Sequence, residues 1–245
     1  MKASLAEQKQ LLSLQAVDTT VAQLNHRTKN LPQNAEIAQL RTQLDALRGR
    51  LATETGTLDD TRAELSRLES DVQLVEARVA RNTERLQQTA SAKDVQAFEQ
   101  ELESLKRRRD NLEEMELVVM ERAETDEAVV NATRADEAEL TARIQTLEAE
   151  REAALDRLSG ELGTATGERN AVAEKVTPEL LALYEKLRAR GGFGAALFRA
   201  GTCGACNITF TGNDLQSLRA QEIDAVVQCP ECNAIVVRTE ESGLW

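Results

Sequence analysis

IAQLRTQLDALRGRL, residues 37–51, places apolar side chains at Ile37, Leu40, Leu44, Leu47 and Leu51. The steps alternate between three and four residues, the spacing that keeps side chains on one seam of a supercoiled helix. The walk continues through Leu58, Leu65, Leu68, Val72, Val75, Val79 and Leu86, with Glu54, Thr61 and Asn82 as polar steps. A strand alternates with period two and cannot hold this frame, so the stretch predicts one arm of a coiled coil.

A second walk starts at Val95 and Phe98 and runs through Leu102, Leu105, Leu112, Val119, Val130, Leu140, Ile144, Leu147 and Leu158. It carries more polar steps, among them Arg109, Glu116, Asp126, Thr133 and Glu137. Polar seam residues lower stability and fix register. Between the walks lies TASAKD (89–94), whose small residues suit a reversal and whose Ser91 or Asp94 suits a helix cap. The segments on either side, 3–88 and 94–175, are nearly equal in length, which predicts one antiparallel hairpin over residues 1–176.

Two features interrupt the arms. Leu14, Val17, Val21, Leu24 and Leu31 keep a heptad phase of their own, with Thr28 as a polar step, and Pro32 sits where the phase changes. Proline removes a helix hydrogen bond, so a kink or short loop is expected near residue 32. In the second arm, SGELGTATG (159–167) holds three glycines, each costing about 1 kcal/mol relative to alanine, so fraying or bending is expected there.

The pattern changes at Thr177. TPELLALYEKLRAR reads as a helix with Thr177 at the N-cap, Pro178 at the first position and Leu180, Leu183, Tyr184 and Leu187 on one face. Gly191 and Gly192 end it, and residues 177–198 read as a connecting helix and glycine-rich linker.

Residues 199–245 hold all four cysteines, in CGACN (203–207) and CPECN (229–233). Cys203 and Cys206 form one CxxC pair, Cys229 and Cys232 the other, with 22 residues between them. Two such turns aim four thiolates at one tetrahedral ion about 2.3 Å away, as structural Zn²⁺ requires. Thiolate ligation suits iron as well as zinc. A redox CxxC needs a βαβ context that is missing, and four cysteines leave no open coordination position for catalysis. Strands are expected at 208–210, 225–228 and 235–238, with a short helix at 213–220. Asn207 and Asn233 follow the two pairs, where a left-handed residue is needed that asparagine tolerates.

Composition bounds the rest. A net charge of −12 opposes general adhesion to nucleic acid or anionic membrane. No apolar run of membrane-spanning length or signal-peptide core is read, which points to the cytosol, where paired cysteines hold metal. His26, the only histidine, has no catalytic constellation around it, so no catalytic or cofactor-binding residue is proposed and no enzyme is expected. KRRR (106–109) is flanked by Glu101, Glu103, Glu113 and Glu114 and reads as a solvated face. Residues 199–245 carry three arginines, Arg199, Arg219 and Arg238, against six acids. Few phosphates can be neutralised by that set. Phe193, Phe198 and Leu244–Trp245 are apolar tips that either contact a partner or pack the ribbon on the helix before it.

SAKDVQAFEQELESLKRR (91–108), PELLALYEKLR (178–188) and TCGACN…CPECN resemble the bacterial C4-type zinc-ribbon family with an N-terminal coiled-coil hairpin, over essentially the whole chain. The resemblance implies a mainly α, zinc-bound, cytosolic adaptor. Members have been connected with transcription factors, RNA or secretion components through protein binding. The expectation is a non-enzymatic scaffold that holds one structural Zn²⁺ on Cys203, Cys206, Cys229 and Cys232. It engages a protein partner through coil and ribbon, in the regulation of gene expression. A nucleic-acid-binding regulator working through KRRR or the ribbon is the alternative. The seam rules also permit two hairpins to associate.

Overall fold

Heptad spacing becomes helix contact in the computed structural model of the chain, which describes residues 1–244. Four long or medium helices come first: α1 (Leu5–Lys29), α2 (Pro32–Gln88), α3 (Ala92–Ala173) and α4 (Pro178–Gly191). A small sheet region follows, with β1 (Ala195–Arg199), β2 (Thr202–Cys203), α5 (Gly212–Ala220), β3 (Val227–Gln228) and β4 (Ile235–Arg238), closed by a 3₁₀ turn at Glu240–Ser242. The fold is the expected one, long helices forming a hairpin with a small C-terminal strand region. Every position of the two heptad walks is buried or half-buried.

The chain divides into two compact units: Gln33–Ala149, and Met1–Pro32 together with the chain from Glu150 onward. In the first, α2 and α3 run antiparallel. Leu68 and Val75 cluster with Leu105, Leu112 and Val119, and Ile37 and Leu44 with Ile144. Burying leucine or valine in such a seam stabilises by about 1.5–3 kcal/mol each. Ion pairs follow the antiparallel register from Arg41–Glu148 through Arg62–Glu127 to Arg78–Glu101. These are exposed and contribute mainly to alignment, at about 0–1 kcal/mol each. The polar seam positions find partners: Thr61 Oγ1 lies 2.8 Å from Asp126 Oδ2, and Arg50 donates to Thr133 Oγ1 at 2.7 Å. At the reversal, Ser91 Oγ accepts from the Asp94 amide at 3.4 Å, so Ser91 provides the cap.

In the second unit, α1 begins with a capping box in which Ser4 and Glu7 satisfy each other's backbone amides. It ends at Lys29, and Pro32 opens α2 from its first position, where no helix hydrogen bond is lost. The break near residue 32 is therefore a short loop. The expected weakness at SGELGTATG does not develop, because α3 continues to Ala173. Leu158 and Ala165, on the inner face of that stretch, pack against Leu24 of α1, and this burial offsets the glycines' propensity cost.

The sheet order is β2-β1-β4-β3, with β1 and β4 parallel and the other pairs antiparallel. Two readings are corrected here. Ile208–Phe210 is not a strand. The chain turns back after Cys203, and Thr209 makes only an isolated bridge with Thr202. Residues 195–198, read as linker, instead form most of β1, an interior strand. Ala195, Ala196 and Phe198 are all buried, so both faces of β1 are covered and the sequence lacks alternation. The sheet is a middle layer. Ala195, Ile235 and Val237 face Leu11 and Leu14 of α1 and Leu180, Tyr184 and Leu187 of α4. Ala196, Phe198 and Val236 face Phe210, Leu218 and the cysteines.

Candidate metal centre

Two loops with the same hydrogen-bond pattern bring the cysteines together. Cys203 ends β2; its amide donates to Ile208 O at 3.0 Å, and its carbonyl accepts from Asn207 at 2.8 Å. Cys229 follows β3; its amide donates to Ala234 O at 2.9 Å, and its carbonyl accepts from Asn233 at 2.9 Å. The pattern requires a left-handed residue at the fifth position of each loop. Asn207 and Asn233 fill it with φ of 59° and 63°, as the sequence predicts. Gly204 is needed for a different reason: a Cβ there would lie 2.8 Å from Leu197 O.

All four Sγ atoms lie within 4.8 Å of one another. Cys203 and Cys232 are 3.8 Å apart, as are Cys206 and Cys229. A tetrahedron of thiolates with bonds of about 2.3 Å has edges of about 3.8 Å, so the donor set fits one zinc ion. Disulfide sulfurs stand about 2.05 Å apart, and these do not. Among the described residues this is the one group of three or more metal-ligating side chains drawn together. The four thiols form a closed C4 site able to bind zinc. The bound ion would supply the positive charge that lets four buried sulfurs ionise together.

That charge is needed. Burial raises the Cys203 thiol above its ordinary value and pushes Cys232 up to about 12. The Ile208 amide, pointing at Cys206, lowers that thiol instead. Amides of Ala205 and Cys206 support the Cys203 thiolate, and Ala234 supports Cys232.

Two polar clusters outside the thiolate set were not read from sequence. Arg238, at the end of β4, is 1% exposed. Its guanidinium donates to the carbonyls of Leu218 at 3.2 Å, Gln221 at 3.0 Å and Ala225 at 2.9 Å, and to those of Glu222 and Ile223. Burial lowers its pKa. It clamps the segment after α5 from one side. From the other, Ala3 donates to Asp224 O at 2.8 Å, Gln8 Nε2 lies 3.3 Å from Ile223 O, and Lys2 pairs with Glu222 and Asp224.

The second cluster is centred on Asp18, a carboxylate of α1. It is buried. It accepts from Arg169 Nε at 2.7 Å and from the Tyr184 hydroxyl at 2.7 Å, and Arg188 stands 3.4 Å away. Burial and Asp18 together push the Tyr184 phenol up, and Asp18 raises Arg169 further. Gln15 joins the cluster to β1 by accepting from the Gly194 amide at 2.8 Å. A signal existed: Gln8, Leu11, Gln15 and Asp18 fall at i, i+3, i+7 and i+10, a second buried stripe on α1.

The other candidates separate. His26 is exposed. In the KRRR run, Arg107 pairs with Glu103 at 3.9 Å and Arg109 with Asp110 and Glu113 at 3.2 and 3.1 Å. Phe198, read as a possible tip, is core, in edge contact with Phe210 at 4.9 Å. Phe193 is exposed and Leu244 packs on the metal side of the sheet. Trp245 lies outside the described residues.

Residues 14–192 match the CT398-like coiled coil hairpin domain and residues 202–236 the C4-type zinc ribbon domain. A protein of Mycobacterium tuberculosis H37Rv is 35% identical over 248 residues, covering 98% of each chain. A solved structure from Mycobacterium smegmatis superposes with a TM-score of 0.86 at 35% identity, over 98% of this chain and 100% of that one. CT398 from Chlamydia trachomatis shares the fold, with a TM-score of 0.63 at 16% identity over 96% and 98% of the two chains.

Proposed function

The chain belongs to the CT398-like coiled-coil hairpin family and carries a C4-type zinc ribbon, and from that membership we propose that it is a non-enzymatic, zinc-bound scaffold that engages a protein partner. The observation that carries this reading is the closed thiolate site, built into the same sheet that packs on α1 and α4. A structural zinc offers its ion to the fold and not to a substrate. Metal and helices together hold the outer surface of the ribbon in one shape.

Charge supports a protein partner over nucleic acid. Of the ribbon's three arginines, Arg238 is buried on backbone carbonyls, and Arg199 stands 3.4 Å from Glu241. Few cations are left to displace counterions from a phosphate backbone. Reduced thiols suit a cytosolic setting. Among the described residues no helix is long and apolar enough to cross a membrane. A role in controlling gene expression is the finer form of this proposal.

The test is photo-crosslinking in cells from the full-length chain, with a benzophenone side chain at Leu117 on the hairpin or at Ile208 on the ribbon. The expected result is a defined protein adduct at one of the two positions, identified by mass spectrometry and reproduced with the purified partner. Adducts to nucleic acid alone, or none at either position, would remove the scaffold reading.

A further inference from the structure

We propose that the middle of the α2–α3 hairpin is a docking surface for a basic amphipathic helix of a partner protein. The inference rests on the scaffold reading above and gives the partner a chemistry. Residues 115–120 of α3 read MELVVM. Of these, Val119 is buried in the seam and the polar step Glu116 is half-buried there. Leu117 and Val118 are each 62% exposed, and Met115 and Met120 are exposed with them. At about 100° per residue, Met115 and Val118 fall on one flank of the seam, Met120 on the other, and Leu117 points away from α2. A helix turn with apolar side chains on several faces needs cover on more than one side, and a two-helix hairpin supplies only one.

The same section is strongly acidic and accounts for most of the protein's net charge. Leu58–Val75 of α2 pairs with Asp110–Glu127 of α3, held by Arg62–Glu127, Arg122–Glu64 and the Thr61–Asp126 hydrogen bond. These two stretches hold thirteen carboxylates against three arginines, a net of −10 in a chain of −12. A groove of about 360 Å³ runs beside the band, lined by Glu64, Glu114, Met115, Val118 and Arg122 among others.

This combination selects the occupant. A second copy laid on the band would bring one −10 surface against another, and nucleic acid or an anionic membrane would be repelled in the same way. A helix with apolar anchors at i, i+3, i+4 and i+7 and Lys or Arg along its edges satisfies both features at once. The two methionines give the surface the adaptable packing that such helices use.

The experiment uses the full-length, zinc-loaded protein and two fluorescent Lys/Leu peptides of identical composition, about 18 residues and so about 27 Å of helix. One places its leucines on a single helical face; the other distributes them around the helix. The single-face peptide is expected to bind at least about tenfold tighter by anisotropy at physiological salt, and Leu117→Gln/Val118→Gln to remove that advantage. Phe193→Gln, at an exposed position after α4, should leave it unchanged. Equal binding of the two peptides, or an unaffected double variant, would overturn the proposal. So would a wild-type dimer in sedimentation velocity that the double variant converts to monomer, since a second copy would then cover the band. Both altered side chains are exposed, and an unchanged helicity and melting curve verify the fold. If the crosslinkers at Leu117 and Ile208 both capture no protein in cells while the peptides are still discriminated, the scaffold reading fails and the surface chemistry stands.

Discussion

Arg238→Met should weaken zinc binding although Arg238 touches no cysteine. Methionine keeps much of the apolar stem and removes the guanidinium that serves the carbonyls of Leu218, Gln221, Glu222, Ile223 and Ala225. An orphaned buried acceptor costs about 1–3 kcal/mol. Several of these carbonyls lie in a partly exposed segment and regain water, so two lost partners, or about 2–6 kcal/mol, is the relevant loss. A small ribbon folds on its metal, and the loss is therefore read as metal affinity. The lower end corresponds to a rise of about 30-fold in the apparent zinc dissociation constant. Competition with a chromophoric chelator measures it. Arg199→Met is the control, because Arg199 is exposed and its guanidinium pairs with Glu241 and not with the carbonyls of the clamp. A change below about threefold for Arg238→Met, or an equal change for the control, would refute the clamp.

Acid should release the metal steeply. Burial holds the Cys203 and Cys232 thiols above their ordinary value, so the metal-free site is protonated there at neutral pH and zinc must displace those protons. The sign follows: falling pH favours the metal-free form. With Cys203 and Cys232 both held up, at least about two protons leave, so log affinity should fall by at least about two per pH unit just below neutrality; a slope of about one or less in chelator titrations would contradict this. Asp18→Asn should cost about 3–5 kcal/mol in urea unfolding, since it strips Arg169 of its buried partner; a loss under about 1 kcal/mol would show that Glu185 alone suffices. Gly204→Ala should weaken zinc binding by forcing Leu197 O aside at a cost of about 1–3 kcal/mol, whereas Gly160→Ala, which meets no neighbour, should stabilise α3 by about 0.5–1 kcal/mol. Equal effects of the two on zinc affinity would show that helix propensity, and not the close approach, governs them.

The helices and the clustering of the four cysteines were legible because each is written locally. A heptad repeats its signal at every turn, so the polar steps at Thr61 and Thr133 did not hide the seam, and both proved buried in it. Each CxxC loop closes within six residues, which let the need for Asn207 and Asn233 be read before the fold was known. What stayed hidden depends on partners remote in sequence. The parallel pairing of Ala195–Phe198 with Ile235–Arg238 spans about 40 residues and leaves no alternation to read, because β1 is covered on both faces. Arg238 looked like an ordinary cation because its partners are carbonyls, which every residue possesses.

These remote contacts join the metal to the helices. Cys232 leads into β4, whose Ile235 and Val237 enter the core of α1 and α4 while Val236 enters the core beneath the cysteines. One short strand therefore belongs to both hydrophobic clusters. If the site loses its ion, the turn before β4 loses its anchor, and β4 cannot shift without disturbing Leu11, Leu14 and Tyr184 on its other face. The residues that complete the ribbon thus include α1, at the opposite end of the sequence. A fragment cut at the first cysteine, or at Thr177, would expose Ile235 and Val237 and forfeit about 1.5–3 kcal/mol for each side chain left uncovered. Partner binding therefore has to be sought with the full chain, because a failure of the isolated ribbon to bind would reflect its missing helices as much as its surface.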